Sequence, residues 1–162
     1  MNIVSCITAR GGSKGIPKKN IIDLNGKPLL YYSIKASTSS IVNKTFVSTD
    51  DTEISDIALS YNVGVIDRPK ALSDDNSKSD DSLLHFAGII DFDILVFIQP
   101  TSPLIKSEYI DKGVKMIMDG KYDSVFSANK EHWIPKWDMN IQTIDWDINN
   151  RPMRQDKPEL YV

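Results

Sequence analysis

Two short, nearly solid apolar runs, Ile3–Ile7 and Ile94–Ile98, stand out along the chain, and helical stripes fill the space between them. Runs of four to eight branched apolar residues are the pattern of parallel strands covered by helices on both faces. Thr45–Ser48 and Ser124–Ser127 are weaker versions of the same signal, carried by Phe46, Val47, Val125 and Phe126. Ile54, Ile57, Ala58 and Tyr61 recur at the i, i+3, i+4, i+7 spacing of an amphipathic helix, and Asp50 with Glu53 resembles a capping box at its entrance. Leu83, Phe86, Ala87 and Ile90 repeat the spacing, as do Ile110, Gly113, Val114 and Ile117. A further helix is expected from Pro28, with Leu30 and Ile34 one turn apart. Strands alternating with helices predict right-handed crossovers and a three-layer α/β protein with a doubly wound, mainly parallel sheet.

That architecture selects loops before any motif is considered, because ligands of open parallel sheets bind beyond the carboxyl ends of the strands. The loops in question are Thr8–Asn20, Thr49–Asp51 and Gln99–Leu104. From about Asn129 the regularity fails, and Trp133, Trp137 and Trp146 fall in a stretch without helical period, read as packing or interface residues. The 162 residues are the length of a single domain, 1–162, with 129–162 as an excursion from the sheet.

Composition narrows the classes. With 19 basic and 22 acidic residues the net charge is −3, so no global field recruits nucleic acid or an anionic membrane. Mean hydropathy is −0.27, and no apolar run approaches the roughly 20 residues of a membrane helix. The single cysteine, Cys6, excludes a disulfide framework and a cysteine-rich zinc site within the chain, and it sits inside the first strand as a small core residue. No basic, then apolar, leader follows Met1, so a reducing cytoplasm is the expected compartment. His85 and His132 are isolated and are assigned no catalytic role.

Against this background the first loop is exceptional: Thr8–Asn20 holds four cations (Arg10, Lys14, Lys18, Lys19), three glycines and no acid. Glycines let backbone amides approach an oxyanion, arginine grips phosphate oxygens bidentately, and lysines neutralise the remaining charge. A polyphosphate is the natural guest, although a basic loop can also be merely solvated surface. Two familiar phosphate motifs are absent. The loop has no Gly-Lys followed by a serine or threonine as a P-loop requires, and Gly11, Gly12 and Gly15 lack the dinucleotide-fold spacing.

The loop resembles the signature of the acylneuraminate cytidylyltransferases, which activate sialic acid and related nonulosonic acids as CMP-sugars. Ala9-Arg10, Ser13-Lys14-Gly15-Ile16-Pro17 and Lys19-Asn20 carry the likeness first. It continues through Val47-Ser48-Thr49-Asp50, Arg68-Pro69, Asp74-Asp75, Gln99-Pro100-Thr101-Ser102-Pro103-Leu104 and Arg154-Gln155-Asp156. The related KDO synthetases typically read Arg-Leu-x-Ser-x-Arg-Leu-Pro in this loop, from which Gly11-Gly12-Ser13-Lys14-Gly15 departs.

The resemblance implies a nucleotide-diphospho-sugar transferase-like fold, and a CTP-dependent transfer in which the sugar hydroxyl attacks the α-phosphorus and pyrophosphate leaves. It implies Arg10 and Lys19 as the catalytic residues. Ala9, Arg10, Gly12, Ser13, Lys14, Lys19, Asn20, Arg68 and Ser79 would contact the nucleotide, and Gln99, Thr101 and Ser102 the acidic sugar. It further implies Mg²⁺, a homodimer using the 129–162 excursion, and family members that continue past Tyr161-Val162 into the segment holding the metal's carboxylates. On that reading the 162 residues are the front portion of the enzyme, expected to bind nucleotide weakly and turn nothing over alone. Asp50 is left between two roles, site residue and helix cap. The alternatives are a non-catalytic nucleotide- or sugar-binding module, a structural domain with a basic loop, and a KDO-type or other nucleotidyltransferase.

Overall fold

The computed structural model describes residues 1–74 and 77–128 and, further along, 130–131, 136–137, 140, 142–144, 147, 149 and 160–161. Four parallel strands form the central sheet: β1 (Ile3–Thr8), β4 (Lys44–Thr49), β5 (Gly64–Asp67) and β6 (Ile94–Ile98). Between β1 and β4 the chain forms a small antiparallel hairpin, β2 (Asp23–Leu24) with β3 (Lys27–Pro28), and then helix α1 (Leu29–Thr38). Helix α2 (Thr52–Ser60) links β4 to β5, α3 (Ser79–Ala87) links β5 to β6, and α4 (Ser107–Met118) follows β6.

The spatial order β5-β4-β1-β6 means that the chain steps outward on one side of β1 and then crosses to the other. The order reverses between β1 and β6, whose carboxyl ends therefore flank the crevice where such sheets bind ligands. Register puts Ile7 beside Val47 on one side and Ile98 on the other, so Thr8 and Gln99 both emerge at this edge.

Strand alternation divides the core. Ile3, Ile7, Val47 and Ile98 pack with Leu30 and Ile34 of α1, Ile54 and Ala58 of α2, and Ile110 and Val114 of α4. Val4, Cys6 and Ile66 point to the opposite face, against Phe86 of α3. Each such fully buried aliphatic or aromatic side chain contributes about 1.5–3 kcal/mol. The first face also holds a line of buried hydroxyls, Ser5 to Ser37 at 2.6 Å and Ser37 to Thr45 at 2.7 Å, which fastens α1 to β1 and β4 without leaving a polar group unpaired.

The three-layer parallel sheet and the four helical stripes agree with the pattern-based expectation. Two expectations do not hold. Ser124–Ser127 forms no strand: a strand needs a neighbour for its amides, and among the described residues no strand pairs with this one. The cap of α2 is Asp51, whose side chain accepts from the Ile54 amide at 3.0 Å, and not Asp50 with Glu53. Helix α2 starts one residue later than the pattern suggested, so the capping position falls on Asp51. Strand β5 and the β2–β3 hairpin carried too few apolar positions to be anticipated.

The chain divides into two compact units, Met1–Val125 and Phe126–Val162. In the second, β7 (Lys130–Glu131) pairs antiparallel with β10 (Leu160–Tyr161), and β8 (Lys136–Trp137) with β9 (Thr143–Ile144). Most of the 129–162 excursion, including His132, Trp133, Trp146 and Arg154-Gln155-Asp156, lies outside the described residues. Among the described residues no helix is long and apolar enough to cross a membrane.

Candidate functional site

A cleft of about 680 Å³ opens in the first unit at the carboxyl edge of the sheet, where the strand order reverses. The β1 loop supplies Thr8, Arg10, Ser13, Lys14, Lys19 and Asn20 to its walls. Arg68 enters from the end of β5, Lys78, Ser79 and Ser82 from the start of α3, and Gln99 and Thr101 from the end of β6. Residues as far apart in sequence as Thr8 and Thr101 thus share one cavity because parallel crossovers return every strand to the same edge. Among the described residues, five cations (Arg10, Lys14, Lys19, Arg68, Lys78) and one carboxylate (Asp74) line it, which gives it a locally positive surface in a net acidic chain.

The loop is held by its neighbours. Asn20, buried at 5% exposure, donates from Nδ2 to the Arg10 carbonyl at 2.9 Å, closing the loop on itself. Asp50 Oδ1 accepts from the Gly11 amide at 3.1 Å, so this carboxylate anchors the loop to the end of β4. Asp50 is therefore a loop anchor and does not line the cleft. Gly11 is obligatory for a steric reason: a Cβ there would lie 2.8 Å from the Cβ of Asp51 and inside its carboxylate. Arg10 Nη1 donates to the Asp74 carbonyl at 2.6 Å, tying the loop to the segment before α3.

The loop cations are not equivalent. Lys18, in the left-handed region at φ 51°, turns away from the cleft and pairs with Glu53 of α2, which raises its pKa. Lys19 lines the cleft, and its ammonium has no hydrogen bond or ion pair among the described residues. Arg68 is 4% exposed; Nε donates to Ser73 Oγ and Nη1 to Ser82 Oγ, each at 2.9 Å. Burial lowers the Arg68 pKa most, with Asp50 and Cys6 opposing that shift and the neighbouring Arg10 adding to it.

Of the residues expected at the site, Arg10, Ser13, Lys14, Lys19, Asn20, Arg68, Ser79, Gln99 and Thr101 line the cleft together. Ala9, Gly12 and Ser102 do not. The Ala9 side chain is in the core and its amide donates to the Ser48 carbonyl at 3.0 Å, whereas Gly12 is exposed on the loop's outer side. Ser102 is exposed in a turn whose amide returns to the Gln99 carbonyl at 3.2 Å. Sequence reasoning missed Thr8, Ser73, Lys78 and Ser82. Ser82 carried a usable signal, since it lies three residues after Ser79 and so on the same helix face. His85 lies on α3 and does not line the cleft.

Magnesium asks for about six oxygen ligands in octahedral array, usually including one or two carboxylates. Among the described residues no group of three or more His, Cys, Asp or Glu side chains converges, and the cleft's one carboxylate stands among five cations. This donor set does not fit Mg²⁺.

A parallel sheet with a glycine-turned, cation-rich loop at its switch point defines an α/β protein whose cleft has the position and the positive lining that suit a phosphorylated ligand. The chain belongs to the cytidylyltransferase family, whose model matches residues 4–155. It is 37% identical over 164 aligned residues to N-acylneuraminate cytidylyltransferase A of Danio rerio, a match covering 96% of this chain and 38% of that protein. It is 34% identical to the pseudaminic acid cytidylyltransferase of Campylobacter jejuni serotype O:2, over 80% of this chain and 59% of that one. The chain thus spans between about two fifths and three fifths of the length of these relatives. In fold it is similar to a CMP:2-keto-3-deoxy-manno-octonic acid synthetase solved with CTP, at TM-score 0.67 and 22% identity, over 74% of this chain and 48% of that one. These names agree with the family indicated by the motifs.

Proposed function

We propose that the protein serves CTP-dependent activation of a nonulosonic acid, giving the CMP-sugar and pyrophosphate, with the cleft described above as its nucleotide site. The single observation that carries this reading is the gathering of Arg10, Lys14, Lys19 and Arg68 around one cavity at the switch point, in a chain whose relatives are named for that class of reaction. The anomeric hydroxyl of the sugar would attack the α-phosphorus, the bond to the bridging oxygen of the β-phosphate would break, and pyrophosphate would carry that electron pair away. Such transfers depend on positioning and on neutralising charge more than on covalent chemistry. Arg10, Ser13 and Lys14 would hold the triphosphate, and Lys19, whose ammonium is uncommitted, would take up charge on the leaving pyrophosphate. Asn20 holds the loop in shape, Arg68 and Ser79 would contact the nucleoside, and Gln99 and Thr101 the acidic sugar.

Mg²⁺ belongs to the proposal with ligands outside the described residues, as do a homodimer and a cytoplasmic location. The test is pyrophosphate release from CTP with N-acetylneuraminic, legionaminic and pseudaminic acids in turn. Turnover with one of them supports the reading; CTP binding without CMP-sugar formation in the full-length protein favours a binding module. Lys19→Ala is expected to lower turnover far more than it weakens cytidine binding, and unchanged turnover removes Lys19 from the leaving-group role.

A further inference from the structure

Arg68 is a buried cation held by neutral groups. Its Nε and Nη1 donate to the hydroxyls of Ser73, just after the 3₁₀ turn Lys70–Leu72, and Ser82, on the second turn of α3. Both serines are themselves buried, at 7% and 3% exposure. Among the described residues no carboxylate forms an ion pair with this guanidinium; the nearby Asp50 directs Oδ1 to the Gly11 amide instead. A guanidinium has five N–H groups in a rigid plane, so fixing two of its nitrogens fixes where the third points. That third nitrogen, Nη2, has no hydrogen bond among the described residues, and Arg68 lines the cleft.

Burying an arginine without a direct ion pair is costly, and hydroxyl partners satisfy its donors while leaving its charge in place. A carboxylate at either serine position would make a more stable pair and a poorer ligand site. The unpaired Nη2 edge and the fixed plane both serve whatever occupies the cleft.

From this geometry we infer that Ser73 and Ser82 are positioning residues, holding the Arg68 guanidinium in one plane and free of a direct ion pair so that its Nη2 edge meets an acceptor on the nucleoside. The inference rests on the nucleotide reading above and gives two cleft-lining serines the task of acting through Arg68. Ser73 and Ser82 bracket the segment that leads into α3 and reach the same side chain from both of its ends.

The test is titration calorimetry of the full chain with cytidine and with CTP, alongside thermal melting. Ser82→Ala is expected to weaken cytidine and CTP by the same factor, roughly tenfold, as for loss of a hydrogen bond to a charged group. Ser82→Thr, which keeps the hydroxyl, restores affinity to within about threefold of wild type. Ser73→Ala, in a separate segment, repeats the loss and keeps the test valid if Ser82→Ala does not fold. A melting temperature that falls in either alanine variant while cytidine and CTP affinity stay within about twofold overturns the inference, because a purely structural pair would do that. A loss confined to CTP also overturns it by moving Arg68 from nucleoside to phosphate. If the wild-type chain binds neither ligand, the nucleotide reading itself fails, an outcome distinct from both.

Discussion

Adjacent glycines in the β1 loop have opposite surroundings. Gly11 faces the Asp51 side chain, and an added methyl would displace the carboxylate that caps α2; Gly12 faces open space within 4 Å. Gly11→Ala is expected to cost about 1–3 kcal/mol as an overpacked substitution, a fall of roughly 3–10 °C for a domain of this size. Gly12→Ala is expected to melt within a degree or so of wild type, and differential scanning calorimetry of the pair decides it. The sequence showed three glycines in a basic loop and could not rank them, because Asp51 comes from another strand end. Cys6 offers a second test. Burial against Val4 and Phe86 pushes its thiol from 9.0 up to about 12, so the folded state keeps the proton that the unfolded state gives up. The sign follows: this contribution is intact below the unfolded value of 9.0, declines as pH rises above it, and is lost by about 12. Native protein is expected to resist thiol alkylation at pH 8 and to react fully once denaturant is added; rapid alkylation of folded protein contradicts the burial.

At the scale of elements, the neighbouring acids of the β4–α2 junction divide two tasks between them. Asp51 caps α2 through the Ile54 amide, and Asp50 anchors the cleft loop through the Gly11 amide. Asp51→Ala is expected to lower stability by about 1 kcal/mol, the ordinary loss of an N-cap. Asp50→Ala is expected to weaken CTP binding more than it lowers the melting temperature, since it releases the loop and spares the helix. Equal effects of the two variants on CTP affinity would remove the distinction. The long apolar runs of β1 and β6 and the helical stripes were legible because each encodes its own period. Strand β5 was not, since four residues, Gly64–Asp67, become a strand only through pairing with β4. Ser124–Ser127 failed for the converse reason, having strand-like residues without a strand to pair with among the described residues.

On the scale of the whole molecule, the sheet makes the site. Arg10, Arg68 and Gln99 converge because parallel strands deliver their carboxyl ends to one edge and the order reverses between β1 and β6. The loop's cluster of cations was readable from the chain alone, and three of the four line the cleft, whereas the serine clamp on Arg68 was not readable, because burial of an arginine by two serines is a property of the fold. Net acidity of the chain makes the cleft's positive field local, so its ligand affinity is expected to fall with ionic strength. The most direct measurement is titration calorimetry of CTP into the full chain and into its Arg10→Ala variant at low salt. Saturable binding to wild type, weakened about tenfold or more in the variant, is the predicted result. Absence of saturable binding, or equal affinity in the two proteins, would contradict the assignment of this cleft as the nucleotide site.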